Sequence, residues 1–197
     1  LVGEIGAGTV RGQMIGNGVK FTGETLGVKR IPHVKGQCLA GYDPRCLKGT
    51  GVTYATATMG ADHTCGNALP SPANPSYDPS SATGQGLTSQ YLQKFFAAVD
   101  SLGLCLFAAV PSLDMPHLQR DLVTCVSAIL GETLAEDYLF RLGTTVLRTE
   151  KSFNDVAGFS SEDDRLPEFF RTEGLPETGN LFDVSDAELD DVHSFAD

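Results

Sequence analysis

The chain has 197 residues, of which 41% are hydrophobic and 20% are charged, and its formal net charge is −11. This length and composition are typical of one large or two small folded domains of a water-soluble protein. Phosphate backbones are bound by clustered Lys and Arg side chains, so the negative charge argues against nucleic acid as a partner. The sequence has no run of about 18 apolar residues, and we therefore expect no membrane span.

The cysteines do not indicate a disulfide framework, because their number is odd and their spacing irregular. They are Cys38, Cys46, Cys65, Cys105 and Cys125. Free thiols fit a reducing cytoplasm, where we expect the protein to work. The sequence has no Cys-x-x-Cys pair, so it does not encode a complete zinc or iron–sulfur cage.

The first part of the chain is rich in glycine, and this predicts short helices joined by tight turns. A proline-rich loop over residues 66–86 follows it. Loops of this composition commonly separate domains. We therefore predict a Gly-rich helical and loop domain over residues 1–86 and a helical domain over residues 87–197, ending in an acidic tail.

Apolar residues at helical spacing predict a helix over residues 88–101, because Leu92 and Val99 are seven positions apart with Phe95 and Phe96 between them. Thr88 or Ser89 is the expected N-cap of this helix.

Two further helices are predicted over residues 116–130 and 133–154. Asp114 is the expected N-cap of the first, because Pro116 suits the first turn of a helix and Gly131 suits its end. Gly143 interrupts the second helix at some cost in stability.

A short last helix is predicted to begin at Ser185, because Ser185 and Glu188 have the spacing of a capping box. Alternating strand patterns are scarce along the whole chain. The sequence therefore predicts an all-α, multihelical fold with two packed helical lobes.

The segment Asp100–Cys105 is the strongest candidate for chemistry. Gly103 lets the backbone turn tightly after the helix that ends near Asp100, and it presents Cys105 at the start of the next helix. The Asp100 carboxylate is either a turn acid that binds local N–H groups or an acceptor for the N–H edge of a heterocycle. Cys105 is either a small core residue or a thiolate that binds iron.

His63 is the second candidate. A single histidine is usually a hydrogen-bonded structural group, but its ordinary pKa near neutrality also suits proton transfer. It follows a stretch of small residues over 59–62 that could lie against a flat cofactor. The neighbouring Asp62 either orients the His63 ring or caps a helix.

Five segments in this order resemble the aldehyde:ferredoxin oxidoreductase family of tungsten-pterin enzymes. They are Tyr42–Arg45, Thr53–Thr64, Asp100–Cys105, Glu150–Asn154 and Asp163–Pro167. The resemblance covers nearly the whole chain but only the C-terminal third or so of the family. It implies that the chain is part of a larger enzyme.

The family has a D-x-x-G-L-C motif, and every fixed position of that motif is present from Asp100 to Cys105. The resemblance implies that Asp100 and Leu104 contact the pterin and that Cys105 is the fourth ligand of a 4Fe-4S cluster. It also implies that His63 lies close to the metal as a proton donor or acceptor for the substrate.

The complete enzyme, as the resemblance implies, binds tungsten or molybdenum through a bis-pyranopterin and also carries a 4Fe-4S cluster. It oxidises an aldehyde or a related substrate to a carboxylic acid and passes electrons to ferredoxin or an electron-transfer subunit. The other cluster ligands and pterin contacts belong to missing N-terminal and middle domains. We therefore expect this chain alone to bind none of these cofactors, and we expect apolar surface where the missing domains pack, around Thr53–His63 and Gly103.

Two alternatives stay open at this point. The chain is a cofactor-free helical interaction module of a larger redox complex, or it is a zinc or thiol redox protein. The second alternative would use residues whose spacing matches no regular zinc site, namely His33, Cys38, Cys46, His63 and Cys65.

Overall fold

The computed structural model describes residues 1–71 and 73–195. Helices dominate the described part, and the strands there form one two-stranded antiparallel hairpin. The elements in chain order are α1 (Val2–Gly6), α2 (Val10–Gly16), α3 (Gly18–Thr25), β1 (His33–Val34), β2 (Gln37–Cys38), α4 (Lys48–Thr56), α5 (Gln85–Ser101), α6 (Leu106–Ala109), α7 (Pro111–Asp114), α8 (Pro116–Leu130), α9 (Tyr138–Ala157), a 3-10 turn (Ser161–Asp163), α10 (Phe169–Thr172) and α11 (Asp186–Asp191). The multihelical fold is therefore as predicted.

The buried hydrophobic residues form two core clusters. The first surrounds α4 and contains Val52, Tyr54 and Ala55, together with Phe182 and Leu189 from the C-terminal stretch. The second is built on α5, α8 and α9. The C-terminal stretch thus returns to pack against the first part of the chain, and the division at residues 86 and 87 stays a prediction about domain organisation.

Among the long helices, α5 and α9 make the most extensive contact with each other. A Cβ atom on Gly143 would lie 1.8 Å from the backbone oxygen of Lys94, so the two helices approach more closely than any other residue would allow. The predicted interruption of α9 at Gly143 is absent, because the helix runs on from Tyr138 to Ala157. The glycine is needed for packing instead.

Helix α5 begins at Gln85, three residues before the predicted start, and the expected caps at Thr88 and Ser89 are wrong. The cap comes from another part of the chain, since the Glu188 carboxylate of α11 accepts a hydrogen bond of 2.7 Å from the backbone N–H of Gly86. Ser89 is buried within the helix, and its hydroxyl lies 2.7 Å from that of Thr53.

Helix α8 covers the predicted residues, but its predicted N-cap is also wrong. Asp114 belongs to α7, and its carboxylate accepts a hydrogen bond of 2.6 Å from the Ser71 hydroxyl.

Helix α9 begins five residues later than predicted and ends at the left-handed Gly158. The Ser185 cap of α11 is confirmed, because Ser185 Oγ accepts from the backbone N–H of Glu188. The Glu188 carboxylate binds the N–H of Gly86 and so does not complete a capping box.

No helix in the described part of the chain is long and apolar enough to cross a bilayer.

A buried polar network joins the C-terminal stretch to α5. The Gln93 amide N–H group donates to the hydroxyls of Thr56 and Ser89, at 2.9 Å and 3.0 Å. Its oxygen therefore faces His193 and lies 3.1 Å from Nε2, so the imidazole donates through that nitrogen. Burial lowers the pKa of His193 from 6.5 to about 4, and nearby lysines add to the effect of burial against the opposing charge of Asp164.

The low pKa of His193 predicts a stability that falls in mild acid. Between pH 6.5 and about 4 the unfolded chain binds a proton at this histidine that the folded chain does not. The free energy of unfolding should therefore fall by up to about 3 kcal/mol as the pH is lowered through that window. Urea unfolding measures this effect. Between the same two pH values, the free energy of unfolding of His193→Gln should fall less than that of the wild type. An equal fall in both proteins would contradict the low pKa of His193. The exposed His117, changed to Gln, is the matched control.

Candidate functional site

A cavity of about 500 Å³ lies where the C-terminal end of α4 meets α5 and α9. Residues 57–65, which follow α4 and are called the site loop below, form one wall. The side chains that carry charge or a thiol in the lining are Asp62, Cys65, Asp100 and Glu150. Because these elements are far apart in sequence, only the fold brings the groups together.

Asp100 lies at the last turn of α5, on the edge of this cavity. Asp100 is an exposed residue, but partial burial raises the pKa of its carboxyl, and the negative charges of Asp62 and Glu150 raise it further. Within the described part of the chain, its side chain has no hydrogen-bond or ion-pair partner. Its carboxylate oxygens are thus available to a ligand that donates N–H groups.

Asp62 has a structural arrangement of hydrogen bonds within the site loop. Its carboxylate accepts from the backbone N–H and the hydroxyl of Thr64, at 3.0 Å and 2.6 Å, and from the Cys65 thiol at 3.3 Å. Burial alone would raise the pKa of Asp62, but these hydrogen bonds outweigh burial and lower it. Burial and the nearby Asp62 charge raise the pKa of the Cys65 thiol, which is therefore not a thiolate near neutral pH.

Helix α9 holds the start of the site loop from the opposite side. Glu150 accepts a hydrogen bond of 2.7 Å from the Thr58 hydroxyl, and the Asn154 amide donates to the Thr58 carbonyl at 2.8 Å. Both residues belong to the segment Glu150–Asn154, which resembles the family, but the sequence assigned no role to either. Their four-residue separation places them on one face of a helix, and that face could have indicated their role once a partner segment was known.

His63 lies next to Asp62 but does not line the cavity, as far as the described residues show. Its ring centroid is 5.2 Å from that of Tyr42, and about a third of its side chain is exposed. Nδ1 lies 3.7 Å from a carboxylate oxygen of Asp62, close enough for an ion pair when the imidazole is protonated. Asp62 is therefore placed to orient the ring while it also binds Thr64.

Leu104 and Cys105 follow α5 through a turn at Gly103, whose φ is +67°. The turn is closed by the bond from the Leu104 N–H to the Val99 carbonyl. Leu104 is half-buried against the second core, and Cys105 is an exposed free thiol that precedes the four-residue helix α6. Neither residue is among those that line the cavity. The fold therefore brings Asp100 and the site loop together, whereas Cys105 lies outside the residues that line the cavity.

Within residues 1–71 and 73–195, no group of three or more His, Cys, Asp or Glu side chains is able to hold a metal ion. The histidines and cysteines considered for a zinc site thus do not converge in the described structure. A metal or cluster bound at Cys105 would need ligands from elsewhere.

Comparison with known proteins agrees with this architecture. The family model described as aldehyde ferredoxin oxidoreductase, domains 2 and 3, matches residues 1–193. The chain is 36% identical over 149 residues to a tungsten-containing aldehyde ferredoxin oxidoreductase of Pyrococcus furiosus, which covers 72% of this chain and 24% of the relative. It is 30% identical over 169 residues to the protein of the same name from Pyrococcus horikoshii, which covers 83% of this chain and 27% of the relative. The chain spans about a quarter of the length of these relatives, and it belongs to the aldehyde ferredoxin oxidoreductase family as the part that corresponds to domains 2 and 3.

Proposed function

We propose that this chain is the C-terminal part, as a fragment or a subunit, of a tungsten- or molybdenum-pterin oxidoreductase. The complete enzyme oxidises an aldehyde, or a related substrate, to a carboxylic acid and passes electrons through a 4Fe-4S cluster to ferredoxin. The reducing cytoplasm is the proposed compartment, in keeping with the five free cysteines.

The observation that carries this proposal is the environment of Asp100. Its carboxylate has no side-chain partner among the described residues, and it lies at the edge of a cavity of about 500 Å³. It is also the first residue of the D-x-x-G-L-C motif. A carboxylate in this state suits the side-by-side N–H donors of an aminopterin, so the residues present fit this part of the cofactor.

The proposed roles are those that the resemblance to the D-x-x-G-L-C motif implies. Asp100 and Leu104 hold the pterin, and the exposed Cys105 thiol supplies the one cluster ligand that this chain offers. When bound, the metal-pterin supplies oxygen chemistry and the cluster supplies single-electron steps. The three further cysteines that a 4Fe-4S cluster needs come from the remaining domains of the enzyme.

Exposed apolar side chains support the presence of those domains. Met59, Phe107 and Phe153 are 58%, 83% and 72% exposed, and they lie in the site loop, after Cys105 and on α9 beside the cavity. Met59 and Phe153 line one depression beside the cavity, and a contiguous apolar patch marks a surface that packs against another part of a protein. Of the surface expected around Thr53–His63, Met59 is exposed, but Thr53–Ala57, Gly60 and Ala61 are buried, because α4 is central to the first core.

His63 is the proposed proton donor or acceptor. It is partly exposed on the site loop, and Asp62 is close enough to stabilise its protonated form. His63 is thus the side chain that we propose exchanges a proton with the substrate.

Changing His63 to Gln in the full-length enzyme should lower kcat about 100-fold, since general acid–base groups contribute on that order. Tungsten or molybdenum and iron per chain should stay unchanged. The measurement is aldehyde-dependent reduction of a one-electron dye, with the exposed His117→Gln as the control. An unchanged kcat would contradict the role of His63.

A natively purified enzyme without tungsten, molybdenum and iron would favour the alternative function, a cofactor-free interaction module.

A further inference from the structure

The hairpin of β1 and β2 makes contact with the site loop through its turn. Lys35 and Gly36 connect the strands, and Lys35 has a φ of 49°, the left-handed conformation that a non-glycine residue rarely adopts. Lys35 is the one non-glycine residue with this conformation among those that the structure describes. Because this conformation is unfavourable for lysine, the turn needs stabilising contacts with the rest of the fold.

Those contacts are made by the Lys35 side chain, which is only 4% exposed. Its ammonium group donates to the carbonyls of Ala55 and Ala57, each at 3.2 Å. These carbonyls belong to the C-terminal end of α4 and to the residue that caps it. A cation at this end of a helix is favourable, because it compensates carbonyls that have no partner within the helix.

The buried charge of Lys35 is neutralised by Asp164, with which it forms an ion pair. The Asp164 side chain is itself only 9% exposed, and it also pairs with Lys151 of α9 at 3.3 Å. A buried lysine is tolerated when it is both paired and fully hydrogen-bonded, and Lys35 uses all three of its N–H donors. The arrangement connects the hairpin, α4 and the C-terminal stretch at the residue where the site loop begins.

A second contact lies farther along the site loop. Gly60 has a φ of 111°, and a Cβ atom on it would lie 2.6 Å from the Val34 carbonyl oxygen of the hairpin. The Gly60 carbonyl in turn accepts a bond of 2.7 Å from the Asp62 N–H. The hairpin thus touches the loop directly, two residues before Asp62 and three before His63.

We propose that Lys35 is a positioning residue for the site loop. It ties the start of that loop to the hairpin and to Asp164, and so determines where Asp62 and His63 lie relative to the cavity. This inference rests on the proposed function, because it gives His63 its catalytic role. Lys35 itself touches neither substrate nor cofactor and acts through His63.

The test is a double-mutant cycle in the full-length enzyme, with Lys35→Met and His63→Gln alone and together. Met keeps the length and apolar stem of Lys and removes the charge. We expect Lys35→Met to lower kcat about tenfold in the wild-type background, with metal content unchanged. In the His63→Gln background the further loss should be less than about twofold, because effects on one functional unit are not additive.

Two variants serve as controls. Lys35→Arg keeps the charge and the donors at the same backbone conformation and should restore kcat to within about threefold of the wild type. Lys151→Met removes the other cation beside Asp164 but no contact to the α4 carbonyls, so its kcat should change less than twofold. If Lys35→Met does not fold, Lys35→Gln, which keeps an N–H donor, takes its place in the same cycle.

The outcomes separate this inference from the function on which it rests. An unchanged kcat in Lys35→Met, or the same tenfold loss in both backgrounds, would overturn the role of Lys35 while His63→Gln kept its own loss. A wild-type enzyme without aldehyde oxidation, or an unchanged kcat in His63→Gln, would overturn the proposed function and, with it, this inference.

Discussion

Replacing Gly143 by Ala is expected to lower the free energy of unfolding by about 2–3 kcal/mol, although alanine favours helices by up to about 1 kcal/mol over glycine. The added Cβ would lie 1.8 Å from the Lys94 oxygen and 2.6 Å from its carbonyl carbon. Both atoms belong to the backbone of α5, so no side-chain rotation relieves the overlap. The helices must move apart, and the second core loses packing.

Urea unfolding of the chain measures this effect. Thr145→Ala is the matched control, because Thr145 is exposed on the same helix and its hydroxyl bonds only to the Arg141 carbonyl one turn earlier. Its stability should stay within about 0.5 kcal/mol of the wild type. A Gly143→Ala variant as stable as the wild type or more stable would show that α5 and α9 are not in this close contact.

A second large effect is expected on the cofactor content of the full-length enzyme when either end of the D-x-x-G-L-C motif is substituted. Asp100→Ala removes the acceptor proposed for the pterin, and a hydrogen bond to a charged group contributes about 1.5–3 kcal/mol. Pterin retention should weaken about 10- to 100-fold, so that tungsten or molybdenum per chain falls while iron is largely kept. Cys105→Ser should do the reverse, because serine is a much poorer ligand for iron than a thiolate.

The fold was largely predictable from the sequence where periodicity is strong. Helix α8 covers the predicted residues 116–130, because its apolar face and the flanking Pro116 and Gly131 are all local signals. The beginnings of α5 and α9 were not predictable in this way. The cap of α5 is Glu188, which is about 100 residues away in sequence, and only the tertiary fold brings it to Gly86.

In the candidate site, too, local sequence signals were predictive and contacts between distant elements were not. Asp100, Gly103 and Cys105 could be identified from a short motif, and the structure shows the turn that this motif forms. The contact of Lys35 with the site loop could not be identified, because a buried lysine has no sequence signature that separates it from an ordinary surface charge. Glu150 belongs to a segment that resembles the family, but its bond to Thr58 could not be identified, because the two residues are 92 positions apart.

The proposed roles of Cys105 as a cluster ligand and Asp100 as a pterin contact are tested most directly by measuring iron and tungsten or molybdenum per folded chain in Cys105→Ser and Asp100→Ala. The full-length enzyme is the required form, with the exposed Cys125→Ser as the control for loss of a thiol and Asp121→Ala as the control for Asp100→Ala. Cys105→Ser is expected to lose most of its iron or to show an altered cluster spectrum while it keeps its tungsten or molybdenum. Unchanged iron and an unchanged cluster spectrum in Cys105→Ser would contradict it.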